Sequence, residues 1–320
     1  MQNNNNKSLK PTNFNDYVGQ EKIKKNLKIY IQAAKKRNES LDHILFFGPP
    51  GLGKTTLAKI IANEMNCEIR MINGASIEKQ GDIASILASI KPGEILFIDE
   101  IHRLSKSIEE ILYHALEDFK LIAISKENNE TIPINIQLPP FTLIGATTNI
   151  SSISLPLKSR FPIIEKINFY EINELEEIIL KISSSLKTVI DKQAAEIIAS
   201  RSRGTPRIAI NLFKRIRDFA NINNLIKIDK KITLKTFKNI KLNELGLYDT
   251  DIEYLKTIAY RFNNGPVGIK TIASSIGEYS KNIEEIYEPY LIKLGFINKT
   301  SSGRIITKDG INFLKKIKKQ

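Results

Sequence analysis

The segment Gly48-Pro49-Pro50-Gly51-Leu52-Gly53-Lys54-Thr55 restricts the possible folds of this chain more than any other stretch. It fits G-x-x-x-x-G-K-[ST] and lies between an apolar run at 43–47, which reads as a strand, and helical periodicity over 54–65. Glycines let such a loop wrap until its backbone N–H groups converge on phosphate oxygens, and the start of the following helix adds a favourable field. The binding candidates are Gly48, Gly51, Leu52, Gly53, Lys54, Thr55 and Thr56. Lys54 is placed to reach β and γ phosphates, and the Thr55 hydroxyl to hold Mg²⁺. A chance glycine-rich turn has no reason to carry a strand before it and a helix after it.

Forty-five residues past Lys54, Ile95-Leu96-Phe97-Ile98 ends in Asp99-Glu100. Two carboxylates at a strand end are by themselves often only solvated. After a phosphate loop, Asp99 is expected in the Mg²⁺ shell and Glu100 is expected to polarise an attacking water. A third strand at 141–145 leads into Ala146-Thr147-Thr148-Asn149, polar side chains that either orient water and sense a γ-phosphate or simply turn the chain. Arg160, in Leu155-Pro156-Leu157-Lys158-Ser159-Arg160-Phe161, is either a surface ion pair or an arginine inserted into a neighbouring subunit's site. Gly204-Thr205-Pro206-Arg207 precedes a helix, so Arg207 is placed to point at the phosphates.

At 320 residues the chain has room for two or three domains. Its one cysteine, Cys67, excludes a disulfide framework, and three histidines leave little for zinc, so oxygen ligands are the expectation for any metal. The absence of a disulfide framework also points to an intracellular protein. Apolar runs fall far below the roughly 20 residues that cross a bilayer, and no apolar signal core follows Met1. A net charge of +13 favours an anionic partner such as nucleic acid. Only 11 of the 48 basic residues are arginine, and five of those lie between 201 and 217. The 12 basic against 2 acidic residues of 199–241 otherwise read as a solvated face.

Strands alternating with helix-length segments predict a parallel sheet with helices on both faces. Residues 1–12 are too polar to bury anything and read as a disordered start. A helix is expected around 20–36, and a β-hairpin between Asp118 and Pro140, turning near Glu127-Asn128-Asn129-Glu130. From about 171 to 240 the apolar spacing is helical (Leu175, Ile178, Ile179, Ile182; Ile208, Leu212, Ile216) and predicts a small helical domain. From about 243, helices near 250–262, 269–276 and 281–294 precede two β-prone arms around Ser301-Ser302-Gly303, the outline of a winged helix.

The strings GPPGLGKTT (48–56), FIDEIHRL (97–104), LPPFTLIGATT (138–148), RSRGTPRIA (201–209), GPVG (265–268) and EPYLIKLGFI (288–297) together resemble the RuvB family of AAA+ ATPases, bacterial motors of Holliday-junction branch migration. The resemblance runs from about residue 9 to 307. It implies an α/β P-loop ATPase domain with a parallel sheet (13–170), a small helical lid (171–242) and a C-terminal winged-helix domain (243–320). It further implies ATP and Mg²⁺ as cofactors, homohexameric rings on duplex DNA, and a cytoplasmic role in recombination and repair. The implied partners are the Holliday junction, a RuvA-like junction-binding protein touching the hairpin at about 120–138, and a RuvC-like resolvase.

Carried over by position, Asp99 and Glu100 are the Walker B pair, Thr147 or Thr148 is sensor 1, Arg160 the arginine finger, and Pro206 with Arg207 the sensor 2 motif. Leu9 and Lys10 match one further nucleotide contact, Glu117, Asp118 and Phe119 another, and Tyr170 an aromatic beside the nucleotide. Lys299 and Arg304 match DNA contacts of the wing. The chain departs from the family pattern at Lys10, Asn149 and Ser302, and its hairpin tip at 126–131 is more polar. A winged-helix regulator switched by nucleotide, or a loader that places another ring on DNA, are the competing readings. Intact Glu100 and Arg160 oppose the first, and the missing cysteine cluster opposes the second.

Overall fold

The computed structural model describes residues 10–127 and 130–317. Leu9, the rest of the polar start before Lys10, and the expected hairpin tip at Asn128-Asn129 lie outside them. The chain forms two compact units, one of residues up to Gly48 with Leu52–Asn168, the other of Pro49–Gly51 with Phe169–Gln320.

The first unit opens with α1 (Glu21–Arg37), whose Ile23, Leu27, Ile31 and Ala34 recur every three or four residues and are buried. Three basic residues occupy its last turn, where the helix dipole favours them, and Asn38 ends it in the left-handed region. There follow β1 (Ile44–Phe47), α2 (Lys54–Met65), β2 (Ile69–Asn73), α3 (Gln80–Ala88), β3 (Ile95–Asp99), α4 (Lys106–Glu117), β4 (Lys120–Glu127), β5 (Glu130–Gln137), β6 (Thr142–Thr147), α5 (Leu155–Ser159) and β7 (Ile163–Lys166).

Five strands form one parallel sheet in the order β2-β3-β6-β1-β7. Ile44–Phe46 and Ile95–Ile98 are almost fully buried, as strands covered on both faces must be. Leu45, Leu96, Ile98 and Leu143 of the sheet pack with Ile83 and Leu87 of α3 and Leu112 and Leu116 of α4. Strands β4 and β5 stay out of that sheet and pair antiparallel with each other, Lys120 opposite Gln137 at the base. The Leu138 N–H donates to the Phe119 carbonyl at 2.7 Å and closes this base.

The second unit begins with α6 (Ile172–Ser185), β8 (Val189–Ile190), α7 (Lys192–Ser200), α8 (Pro206–Ile222), β9 (Lys227–Ile228) and α9 (Lys230–Asn239). Leu175, Ile179 and Ile182 of α6 and Leu212 and Ile216 of α8 are buried, matching the helical spacing in the sequence, whereas Ile178 and Ile208 lie at the margin. Next come α10 (Asp249–Lys256), α11 (Ile269–Ile276), α12 (Ser280–Asn282), α13 (Glu288–Lys293), β10 (Ile297–Thr300), β11 (Gly303–Ile306) and α14 (Lys308–Ile317).

The helix expected over 250–262 changes to π-helical turns at Thr257–Arg261, and that over 281–294 does so at Ile283–Tyr287, just ahead of Pro289. Proline has no N–H to give the preceding turn, and a wider turn accommodates the loss. β10 and β11 pair antiparallel around Ser301-Ser302, and Val267 bridges Arg304 from the other side. Helix α14 was not apparent from the sequence. It buries Leu314 and packs Ile311 and Phe313 onto the same core, Phe313 stacked on Phe296 at 4.8 Å.

Candidate nucleotide site

The phosphate loop leaves β1 at Gly48, whose φ is +143°. A Cβ there would lie 2.4 Å from the Ile167 carbonyl oxygen, so only glycine fits between the strands. Gly53 caps α2 with φ +102° and no side chain, leaving the first N–H groups of the helix directed into the loop. Tyr17 lies beneath it: a Cβ at Gly53 would approach the Tyr17 hydroxyl to 2.7 Å. Leu52 is fully buried and anchors the loop, and Thr56 is half-buried in the first turn. Lys54, itself buried, donates to the Gly48 carbonyl at 2.7 Å, which holds its ammonium across the loop mouth.

Thr55 Oγ1 and Asp99 Oδ2 lie 3.4 Å apart at the ends of α2 and β3. A hydroxyl, a carboxylate and a phosphate-binding helix start are oxygen donors of the kind Mg²⁺ accepts, so these residues fit a magnesium–nucleotide pair. Among the described residues no group of three or more His, Cys, Asp or Glu side chains could hold a metal by itself.

Glu100 follows in the left-handed region at φ +51°, a conformation that costs a non-glycine residue about 1–3 kcal/mol. The strain turns the chain sharply at the end of β3, and the 3₁₀ turn Ile101–Arg103 begins there. That turn holds two side chains that composition and spacing had not singled out. Arg103 lies 3.2 Å from the Glu100 carboxylate, and His102 Nδ1 lies 3.0 Å from Thr147 Oγ1. Both stand inside FIDEIHRL, and the spacing of three residues from Glu100 to Arg103 is the signal a 3₁₀ turn would have offered. Of the two sensor candidates, Thr147 is buried at the end of β6 and half-buried Thr148 follows it. The Asn149 N–H donates to Thr147 Oγ1 at 3.0 Å, and its side chain caps the Ile150–Ser152 turn, so this departure closes the loop after β6.

Arg160 lies elsewhere. It precedes β7 at the end where the Ile163 N–H donates to the His43 carbonyl, just ahead of β1. Its guanidinium donates to Glu117 at 2.8 Å and to the Pro156 and Tyr113 carbonyls, and stacks 4.6 Å from the Tyr113 ring. Asp118 is exposed, and Phe119 packs on His43 and Phe141. His43 takes the Leu143 N–H on Nδ1 and donates from Nε2 to Leu116, beside Glu117; burial holds its pKa below the ordinary value. Arg160, Glu117, Asp118 and Phe119 are thus one group, separated from Lys54 by the length of β1, about 13 Å at ~3.3 Å per residue.

In the second unit, exposed Arg207 stands in the first turn of α8, where Pro206 supplies a fixed φ and Thr205 the cap position. Its N–H donates to the Gly51 carbonyl at 3.4 Å, and a Cβ on Gly51 would meet the Arg207 side chain at 3.0 Å. Tyr170 is buried, and its N–H donates to the Gly204 carbonyl at 2.9 Å, on the same turn. Lys10 is exposed.

Family models match nearly the whole chain. The Holliday junction DNA helicase RuvB P-loop domain matches residues 9–167, the RuvB AAA lid domain 170–243 and the RuvB C-terminal winged helix domain 244–315. The chain belongs to the RuvB family. It is 52% identical to the Holliday junction branch migration complex subunit RuvB of Phytoplasma mali (strain AT), covering 94% of this chain and 91% of that one. The subunit of that name from Lactiplantibacillus plantarum is 48% identical over 96% of this chain and 92% of its own. Among solved structures, the Thermotoga maritima RuvB Holliday junction branch migration motor is similar with a TM-score of 0.87 and 46% identity, covering 96% of this chain and 98% of that one.

The RuvB resemblance had put Lys299 and Arg304 on DNA, and the structure places both beside Glu284. Arg304 is buried, its guanidinium bound to Glu288 at 2.7 Å and to Glu284 at 2.9 Å. Its Nε and Nη2 are engaged there, which joins the wing to the helical stretch before it. Lys299 is half-exposed and reaches the same Glu284 at 3.0 Å, a surface pair that costs little to break. Glu284 is held below the usual carboxylate range by these partners, Lys299 first.

Proposed function

We propose that this chain is an ATP-driven motor that branch-migrates Holliday junctions during recombination and repair, working as a homohexameric ring on duplex DNA. The observation that carries the reading is the separation of Arg160 and Glu117 from Lys54, Thr55 and Asp99 by the length of β1. A side chain at one end of the sheet does not reach a phosphate bound at the other, whereas the same side chain of a second copy does when copies stack face to face. Turnover then requires assembly, and a ring closes that repeat with no free end. ATP and Mg²⁺ are the cofactors, and Mg²⁺ supplies charge neutralisation of the β and γ phosphates when bound.

Lys54 and the N–H groups of α2 hold the phosphates, Thr55 and Asp99 hold the cation shell, and Glu100 accepts the proton of the attacking water. Thr147 or Thr148 fixes that water's approach, Arg207 contacts the phosphates in cis and Arg160 in trans. Lys10, Leu9, Tyr170 and the Glu117–Phe119 group complete the nucleotide contacts. The functional parts are taken as 13–170, 171–242 and 243–320. Lys299 is the wing's phosphate contact, binding backbone rather than sequence. A RuvA-like protein meets the hairpin, a RuvC-like resolvase acts on the same junction, and the setting is cytoplasmic. No helix among the described residues is long and apolar enough to cross a membrane.

The test is ATP-dependent dissociation of a labelled four-way junction with Mg²⁺ and the cognate RuvA-like partner, with Lys54→Ala as control. Movement only with the wild-type chain and ATP is the expected result. DNA-stimulated hydrolysis without junction movement would redirect the reading to a loader.

A further inference from the structure

Arg203 is the most enclosed cation of the second unit, and the nucleotide chemistry above does not use it. It is 5% exposed, and Asp251, its partner at 2.5 Å, is fully buried. The pair is bidentate, with the second nitrogen 3.3 Å from the other carboxylate oxygen, while Nε donates to the Gly246 carbonyl at 2.7 Å. The rings of Tyr248 and Tyr290 flank the guanidinium at 5.4 and 5.5 Å. One donor on each of the three nitrogens and two neighbouring rings therefore hold the planar group, which fixes its orientation.

The two ends of this link belong to different segments of the RuvB pattern. Arg203 (φ +55°) and Gly204 (φ +70°) are successive left-handed residues that lead into Thr205 and the start of α8, where Arg207 meets Gly51 of the phosphate loop. So short and tight a turn carries any displacement of Arg203 to Arg207. Asp251 sits in the first turn of α10, where it also accepts the Tyr248 N–H at 2.8 Å. One turn on, Tyr254 donates to Glu288 at 2.9 Å, and Glu288 holds Arg304 of the wing. Two sets of buried polar contacts, joined through one turn of α10, thus run from the Arg207 turn to the wing, with few ways to shift one end alone.

We propose that Arg203 is a positioning residue: its ion pair with Asp251 ties Arg207 to the winged-helix segment, so that duplex DNA bound there sets the aim of Arg207 at the nucleotide. The proposal rests on the reading that Arg207 contacts ATP and the winged helix contacts DNA. By linkage the coupling is reciprocal, ATP binding altering DNA affinity by the same factor.

The experiment compares ATP turnover with and without duplex DNA in the full chain for wild type, Arg203→Lys, Asp251→Asn and the double variant, alongside DNA affinity, KM for ATP and Tm. Arg203→Lys keeps the charge and loses the fork. The expected result is that the stimulation ratio falls about five-fold or more in each variant, while DNA-free turnover and DNA affinity measured without nucleotide stay within about two-fold. The double variant should lose no more than either single one, because both break one link. A ratio preserved in folded variants, or one that falls only in step with DNA affinity, overturns the proposal. Removing either partner leaves a charge buried and unpaired, so hydrogen exchange on the wild-type chain provides a second arm. Duplex DNA should change protection at 203–210, and unchanged protection overturns the coupling. A wild-type chain whose turnover ignores duplex DNA would instead overturn the motor reading on which the proposal stands.

Discussion

Glu100 shows how much one residue's backbone contributes to a site. Its left-handed φ sends the carboxylate off the end of β3 beside Asp99, and Arg103 then lies 3.2 Å from it. Glu100→Gln should bind ATP with unchanged affinity and lose about 10²–10⁴-fold in turnover, read by a fluorescent nucleotide and by phosphate release. His43 makes a separate prediction. Burial lowers its pKa from the ordinary 6.5, so the folded state favours the neutral ring. Its stabilising contribution is complete above about pH 6.5 and declines as pH falls below that value, where the unfolded chain takes up a proton that the folded chain resists. The Tm of the wild-type chain should accordingly drop on acidification, and His43→Gln should flatten that part of the profile.

Among elements, the turns around the sheet's carboxyl end are the most constrained. Gly74, in the 3₁₀ turn after β2, packs against Glu100: a Cβ there would lie 2.6 Å from the Glu100 carbonyl. Gly74→Ala should therefore lower turnover more than ATP affinity, by displacing the strained turn, as kinetics of kcat against KM would show. Gly48→Ala combines a φ of +143° with a 2.4 Å clash on the Ile167 carbonyl. It should abolish nucleotide binding and lower Tm, read by calorimetry. The phosphate loop and the carboxylate strand were legible because backbone chemistry dictates their residue types. The 3₁₀ turn with His102 and Arg103 was not, since neither residue type is required by its own backbone. Helix α14 was hidden for a related reason: its buried residues Gly310 and Leu314 are few, and its packing on Phe296 is a long-range contact.

For the whole molecule, the decisive fact is that β1 separates Arg160 and Glu117 from Lys54, Thr55 and Asp99. Arg160→Ala should hydrolyse ATP poorly even when assembled, and mixing it with Lys54→Ala should restore part of the activity, because each supplies the half that the other lacks. Failure of that mixture to recover any turnover, with both variants assembled, would remove the trans role. The RuvB resemblance was legible over almost the full chain, and with it the three-part order of P-loop, lid and winged helix.

Local chemistry sufficed for Lys54, Thr55, Asp99 and the glycines around them, because a phosphate cradle demands particular atoms at neighbouring positions. Partner choice for long charged side chains did not follow from local order. Arg304 matched a DNA contact in the string yet folds onto Glu288, 16 residues earlier, and Arg203 finds Asp251 48 residues later. A guanidinium can satisfy itself on a phosphate or on a carboxylate with similar geometry. Which of the two it meets depends on what the packed chain brings within about 3 Å, and only the tertiary arrangement sets that.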